Sequence, residues 1–286
     1  MTPEEPLRKL KAMSEVDLKS GLQMLEDGRR HVSGLIPDWV FGPVDSRRYG
    51  RSLGVNPFPK EEKVCSFDCP YCECGWTTRL RTGVDASLDW PEVGIVEAEI
   101  EKALIQIQQR GESLDAITVA GNGEPTLHPR FPDLTRGILR LRDRFASQAK
   151  VIVLTNASEL TREDVREALL LVDEACLKLD AVGEGVAKRV NLPHGKVSLE
   201  RILRSLQSFP APIIQTMFVH GRVDNTKPED IEPWLEALER ISPSRVDLFS
   251  LDRATPDPDL RKVPATAIEK IADLARKRLG VPVFVY

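Results

Sequence analysis

The sequence predicts an α/β fold, a partial (β/α)6 TIM-type barrel of parallel strands with an N-terminal helical extension. Apolar runs of strand length alternate with amphipathic runs of helix length, and the alternation repeats six times. Such alternation is typical of βαβ units and of a parallel sheet. A chain of 286 residues, of which 41% are hydrophobic, is also long enough to bury the core of such a domain.

The predicted strands and helices follow one another in strict order. The strands are expected at 53–58, 115–120, 151–155, 174–180, 212–219 and 245–251, with an edge strand at 281–286, and the helices at 90–109, 132–146, 161–172, 197–208, 228–241 and 264–279. The helix at 90–109 is typical, because Pro91 stands in its first turn and apolar residues recur on one face. We therefore expect helices to cover the sheet.

The N-terminal part of the chain carries a different pattern. Leucines recur at helical spacing among charged residues over 5–30, which predicts helices there. We therefore divide the chain into an N-terminal helical extension, residues 1–45, and a barrel domain, residues 46–286. Two roles are open for the extension, a lid packed on the barrel and a substrate-recognition element.

Composition excludes several classes of protein. The net charge of −4 excludes the global basic field that drives non-specific nucleic-acid binding, although a local patch would suffice for RNA. The acidic N-terminus has no signal-peptide core, and no apolar run approaches the length of a membrane span. Five cysteines, three of them clustered, favour a reducing compartment over a disulfide framework. The sequence thus predicts a cytoplasmic protein without a membrane partner.

One short loop, residues 63–75, carries the strongest chemical signal. Cys65, Cys69 and Cys72 form a C-x3-C-x2-C pattern. A structural zinc site requires four protein ligands, whereas a four-iron cluster on three cysteines keeps one iron open for a small molecule. Cys74 lies only two residues after Cys72, which is a tight reach for a second ligand on the same cluster, so we expect a bystander or a labile thiol.

The loop, with Tyr71 just before its third cysteine, resembles the signature of the radical S-adenosylmethionine (SAM) enzymes. In that family the open iron chelates SAM, and reductive cleavage of SAM yields methionine and a 5′-deoxyadenosyl radical that abstracts hydrogen from a substrate. The resemblance implies a [4Fe–4S] cluster on Cys65, Cys69 and Cys72, SAM as the second cofactor, and an electron donor such as flavodoxin or ferredoxin. It also implies the partial barrel and a place for Tyr71 near the adenine.

Polar residues at the predicted strand ends are the candidates for cofactor contact, because ligands of parallel barrels bind at the carboxyl ends of the strands. Gly121-Asn-Gly-Glu124 resembles the GGE motif of the same family, with Asn122 as a departure, and Glu124 supplies a carboxylate for a cation. The residues predicted to contact SAM or substrate are Tyr71, Gly121, Asn122, Gly123, Glu124, Asn156, Lys178, Asp180 and Gln215. The sequence assigns no catalytic acid or base.

The substrate is open between a small molecule, an RNA and a protein. Arg47, Arg48 and Arg51 are either surface ion pairs or an anion-binding edge for the substrate or the SAM carboxylate. The string Ser46-Arg-Arg-Tyr-Gly-Arg-Ser-Leu-Gly54 resembles the subgroup that contains the tRNA wybutosine-synthesis enzymes. That synthase holds a second cluster on cysteines upstream of the first, and no cysteine precedes Cys65 in this chain.

Two rival functions come from other classes. In the first, the protein is not an enzyme, and Cys65, Cys69, Cys72 and Cys74 bind zinc or sense redox state. In the second, a degenerate radical SAM fold binds SAM without cleaving it. Zinc does not explain the glycine motif at 121–124, so we favour the enzyme.

A single cluster is a testable consequence of the cysteine count. After anaerobic reconstitution we expect about four irons per chain, because only one three-cysteine loop is available for a [4Fe–4S] cluster. Iron and acid-labile sulfide assays measure this ratio. Reproducible loading near twice that value contradicts the single-cluster prediction.

Overall fold

The computed structural model describes residues 22–24, 30–32 and 34–286. The strands are β1 (Leu22–Met24), β2 (Arg30–Val32), β3 (Val40–Ser46), β4 (Gly50–Val55), β5 (Val64–Cys65), β6 (Arg79–Leu80), β7 (Ala116–Val119), β8 (Lys150–Thr155), β9 (Glu174–Lys178), β10 (Ile213–Gly221), β11 (Arg245–Ser250), β12 (Leu260–Lys262) and β13 (Val283–Val285). The helices are α1 (Val93–Gln109), α2 (Phe131–Phe145), α3 (Glu163–Leu171), α4 (Glu184–Asn191), α5 (Leu199–Ser208), α6 (Pro228–Ile241) and α7 (Ala265–Leu279), with a 3-10 turn at Pro125–Leu127.

The main sheet is parallel over most of its width. Its order is β13-β11-β10-β9-β8-β7-β4-β3, and β12 pairs with the end of β10. Strands β4 to β13 along this path are parallel, whereas β3 runs antiparallel to β4 at one edge. Within the described residues the two edges do not pair with each other, so the barrel is open. The predicted partial barrel of parallel strands is confirmed.

The N-terminal region differs from the prediction. Strands β1 and β2 pair antiparallel, so the helix predicted over 5–30 is wrong at these residues, and the rest of that range lies outside the described residues. Strand β3 crosses the predicted boundary at residue 45 and is hydrogen-bonded within the main sheet. The division into two domains stays a prediction.

The helices pack on one face of the sheet because every second strand residue is apolar there. Leu53, Ile117, Leu177 and Val246 lie in the main core together with helix residues. Trp234 of α6 is the largest fully buried side chain, and its indole N–H donates to the carbonyl of Leu179 at 3.2 Å. No helix in the part of the chain that the structure describes is long and apolar enough to cross a membrane. The cytoplasmic location stays a prediction.

The opposite face of the sheet is mixed rather than apolar. It carries Ser52, Thr118, Cys176, Gln215 and Asp247, each at a strand position that alternates with a core residue. The hydroxyls of Ser52 and Thr118 are hydrogen-bonded to each other at 2.8 Å. We call this surface the inner face. It is available for ligands because it is not the face on which the helices pack.

Candidate functional site

Backbone hydrogen bonds attach the cysteine loop to the carboxyl end of the parallel sheet. Cys65 ends β5, and the N–H of Val64 donates to the carbonyl of Asn122 at 2.9 Å, just after β7. In return the carbonyl of Val64 accepts from the N–H of Glu124 at 3.0 Å. A bridge between Phe67 and Pro193 holds the other side of the loop. The loop therefore lies where ligands of parallel sheets bind.

Two of the three predicted cysteines contact other predicted residues. Cys69 is buried, whereas Cys65 and Cys72 are partly exposed. The ammonium of Lys178 donates to the sulfur of Cys69 at 3.0 Å, and the side-chain amide of Asn156 lies 3.7 Å from the sulfur of Cys65. Such N–H donors to sulfur are the usual outer shell of an iron–sulfur cluster.

Two lysines place their ammonium groups beside the thiols. Lys63 is only 1% exposed, and its ammonium donates to the carbonyl of Gly75 at 2.6 Å. Burial lowers the pKa of Lys63, but the thiols of the loop, Cys72 foremost, outweigh burial and raise that pKa above its usual value. Burial also lowers the pKa of Lys178, but Asp180 and Cys69 outweigh burial and raise that pKa above its usual value. Both side chains are therefore cations.

The surroundings shift the pKa values of two loop thiols in opposite directions. The hydrogen bond with Cys74 and the ammonium of Lys63 hold the pKa of Cys72 well below its usual value, although burial opposes them. Burial raises the pKa of Cys65 to about 12, although Lys63 lowers it. An iron–sulfur cluster would displace the proton of Cys65, since metal binding requires the thiolate. Among the described side chains, no group of three His, Cys, Asp or Glu converges as the ligands of a single metal ion do. The sulfur donor set and its N–H donors fit a cluster.

Asp180 organises the side of the site beneath Lys178. Its carboxylate accepts from the hydroxyl of Tyr71, from the amide of Asn191 at 2.7 Å and from the N–H of Met217 at 2.9 Å, and it lies 3.2 Å from Lys178. Asp180 thus fixes the ammonium against Cys69, while Tyr71 keeps its ring under the loop. The place of Tyr71 near the adenine stays a prediction.

Sequence reasoning missed Lys63 and Asn191. Asn191 donates from its side chain to Asp180 and lies 3.8 Å from the sulfur of Cys69. It ends helix α4, which is only eight residues long and too short for periodicity to reveal. The position of Lys63, two residues before the first cysteine, was the available signal.

Asn122 differs from its predicted role as a cofactor ligand. Its side chain is fully buried, accepts from the N–H of Ile36 at 2.8 Å and donates to the carbonyl of Ile36 at 2.9 Å. Its N–H donates to the side chain of Asn56, and its carbonyl accepts from Val64. Asn122 therefore fastens the segment before β3 to the sheet, and its polar atoms face the protein.

Glu124 is also hydrogen-bonded within the protein. Its carboxylate is buried, and its Oε1 accepts from the N–H and hydroxyl of Thr126 and from the hydroxyl of Thr155. Oε2 accepts from the N–H of Asn156 and keeps a further acceptor site. Burial raises the pKa of Glu124, although these donors oppose the rise. Contact of Glu124 with a cation or with SAM stays a prediction.

Gly121 and Gly123 serve close packing within the protein. Both have positive φ, at 146° and 142°. A Cβ on Gly121 would lie 2.2 Å from the side-chain oxygen of Asn56, and one on Gly123 would lie 1.7 Å from the carbonyl of Val64. The glycines therefore let the loop strand approach the end of β7. Contact of their backbone with SAM stays a prediction.

Other singled-out residues lie elsewhere. The thiol of Cys74 donates to the carbonyl of Gly121 at 3.2 Å, so it is engaged within the protein. Gln215 lies on the inner face and accepts from Arg48 at 3.3 Å, and its contact with SAM or substrate stays a prediction. Arg47 and Arg51 form ion pairs with Asp252 and Glu112. Of the three arginines, only Arg48 points into the protein.

The chain resembles known proteins in sequence and in fold. A family model described as the radical SAM superfamily matches residues 63–221. A UPF0026 protein of Synechocystis sp. is 33% identical over 225 residues, which cover 76% of this chain and 77% of that protein.

Two solved structures share the fold. SuiB of Streptococcus suis bound to S-adenosylmethionine matches with a TM-score of 0.57 and 15% identity. The match covers 82% of this chain and 50% of the SuiB chain. The structure of TYW1 with a lysine–pyruvate adduct bound matches with a TM-score of 0.57 and 16% identity, over 97% of this chain and 90% of that one. At these identities the likeness concerns the fold alone.

The close packing at Gly123 predicts a large stability effect. Gly123→Ala forces a left-handed backbone and a clash with a carbonyl, so we expect a loss of about 2 kcal/mol or more in the free energy of unfolding. Gly94→Ala is the control, because Gly94 lies in a helix and an added Cβ would meet no other atom. This substitution should raise the free energy of unfolding by up to about 1 kcal/mol, because alanine favours the helix. Denaturant unfolding compares the two, and equal stabilities would refute the packing argument.

Proposed function

The chain belongs to the radical SAM superfamily and to the UPF0026 proteins, and on this premise we propose that Cys65, Cys69 and Cys72 hold its [4Fe–4S] cluster. The protein is a radical SAM enzyme whose cofactors are a [4Fe–4S] cluster and SAM. One observation carries the assignment of the ligands. The three thiols share one loop at the carboxyl end of the sheet, and the buried ammoniums of Lys63 and Lys178 accompany them.

The chain's own residues hold and orient the reacting groups. When bound, the cluster and SAM supply a 5′-deoxyadenosyl radical, which abstracts hydrogen from the substrate. Lys178 donates to the sulfur of Cys69, and Asp180 keeps that ammonium in place. Gly121 and Gly123 offer backbone at the same edge, where we propose that the methionine part of SAM is oriented. We propose that the inner face shields the radical from water, which would suppress side reactions.

We also propose that the reductant is a small electron-transfer protein such as flavodoxin or ferredoxin. Cys65 and Cys72 are only partly buried, so the cluster loop is accessible from one side. Arg253 and Glu73 form an exposed ion pair beside this loop. An electron donor can therefore approach the cluster without entering the barrel.

Replacement of a single loop cysteine tests the ligand assignment. In Cys69→Ala we expect loss of the iron absorbance and of 5′-deoxyadenosine release in an anaerobic assay with SAM and dithionite, because a cluster needs all three thiolates. Cys74→Ala is the matched control and should keep its iron, since this thiol donates to a carbonyl of the protein. Retention of iron by Cys69→Ala would overturn the assignment, and loss by Cys74→Ala would make Cys74 a ligand.

The charge of Lys178 predicts a shift in the reduction potential of the cluster. Reduction of the cluster adds a negative charge beside the ammonium of Lys178, which stabilises the reduced form. Lys178→Met should therefore lower the equilibrium constant for reduction about tenfold, which corresponds to a reduction potential lower by about 59 mV for one electron. Lys178→Arg keeps the charge and should shift it less. Lys188→Met, at a lysine that is 68% exposed, should leave the potential unchanged because solvent screens it. Redox titration followed by electron paramagnetic resonance measures all three, and an unchanged potential in Lys178→Met contradicts this role.

A further inference from the structure

A cavity of about 230 Å³ lies on the inner face of the sheet. Phe41 of β3 and Tyr286, just after β13, both line it, although they come from opposite edges of the sheet. The sheet therefore curves around this cavity. Its position on the inner face makes it a candidate substrate site that the cofactor residues do not fill.

A buried arginine points into the cavity with part of its hydrogen-bonding capacity unused. The side chain of Arg48 is 8% exposed, and its guanidinium lies between the rings of Tyr49 and Phe249, at 4.1 and 4.6 Å from their centroids. It donates from Nη1 to Gln215 at 3.3 Å and to Asp247 at 3.4 Å. Both distances are long for a charged donor. Nε and Nη2 have no hydrogen-bond partner within the described part of the chain.

Arg48 shares its carboxylate partner with a second arginine. Asp247 is fully buried and accepts two bonds from Arg245 at 3.0 Å, so Arg245 is the nearer partner of this carboxylate. Arg48 reaches the same carboxylate only at 3.4 Å. An anion in the cavity would therefore give Arg48 a partner of its own.

The remaining walls fit a flat ring. Phe249 and Tyr286 stack on each other with centroids 5.3 Å apart and an interplanar angle of 14°, so one wall of the cavity is aromatic. Phe41 lies flat against the strand because Gly54 has no Cβ, which would sit 2.1 Å from that ring. The volume is below the range of about 300–1,000 Å³ that holds drug-sized ligands, so the ligand is small.

We propose that this cavity binds a small planar aromatic acid, with its carboxylate on the free N–H groups of Arg48 and its ring beside Phe249 and Tyr286. A guanidinium fork matches a carboxylate in two parallel hydrogen bonds, and aromatic rings favour a flat partner. This acid would be the substrate of the radical reaction, so that part of the inference rests on the proposed function. The binding itself does not.

A ligand series on the unmodified protein tests the site. The reconstituted full chain with SAM is titrated calorimetrically with benzoate, with benzyl alcohol, which keeps the ring but not the charge, and with cyclohexanecarboxylate, which keeps the charge but not the flat ring. We expect saturable binding of benzoate and at least roughly tenfold weaker binding of the other two. Equal binding of benzyl alcohol, or no binding of benzoate at millimolar concentration, would overturn the proposal.

Variants locate the binding within the protein. Arg48→Gln should weaken benzoate binding at least roughly tenfold, and Phe249→Leu should remove the preference for the flat ring. Arg144→Gln, an exposed arginine on α2, is the control and should bind as the parent protein does. Thermal unfolding shows whether Arg48→Gln folds; if it does not, Phe249→Leu and the ligand series still decide. Unchanged affinity and ring preference in both folded variants would overturn the site.

The two proposals fail separately. Benzoate binding without any 5′-deoxyadenosine release would contradict the proposed radical chemistry and leave the cavity as an acid-binding site. Release of 5′-deoxyadenosine without benzoate binding would support the proposed radical chemistry and contradict the acid-binding site. The calorimetric readout requires no turnover, so neither result obscures the other.

Discussion

The cysteine loop beside the sheet depends on compensating positive charge wherever its thiols ionise. An unpaired buried charge costs on the order of several kcal/mol, so thiolates in such a loop need cations or a metal. Lys63 supplies an ammonium from the start of the loop, and Lys178 supplies another from the end of β9. Gly75 and Asp180 hold these ammoniums in place. Charge therefore positions the loop together with its backbone hydrogen bonds.

The carboxyl edge of the sheet supports the loop with groups that look like ligand-binding residues. Asn122 and Glu124 direct their polar side chains into the protein, and Gly123 gives room to the carbonyl of Val64. These contacts make one wall of the site rigid.

The contrast between local and distant interactions explains what the sequence could predict. The parallel strands were predictable because apolar runs and their flanking turns are local features, and the cysteine spacing is local as well. The hydrogen bonds of Asn122 and Glu124 were not predictable from the sequence. Asn122 bonds to Ile36 and Glu124 bonds to Thr155, and both partners are distant along the chain. Single-residue chemistry suggested ligands, whereas the fold uses these residues as internal ties.

The inner face connects the two halves of the site. Lys178 and Gln215 are direct neighbours in the register of β9 and β10. The ammonium of Lys178 donates to the sulfur of Cys69, and the side chain of Gln215 accepts from Arg48. The cation beside the cysteines and the cation of the cavity therefore lie one strand apart on one face. The proposed acid on Arg48 would therefore share this face of the sheet with the lysine that contacts the cysteine loop.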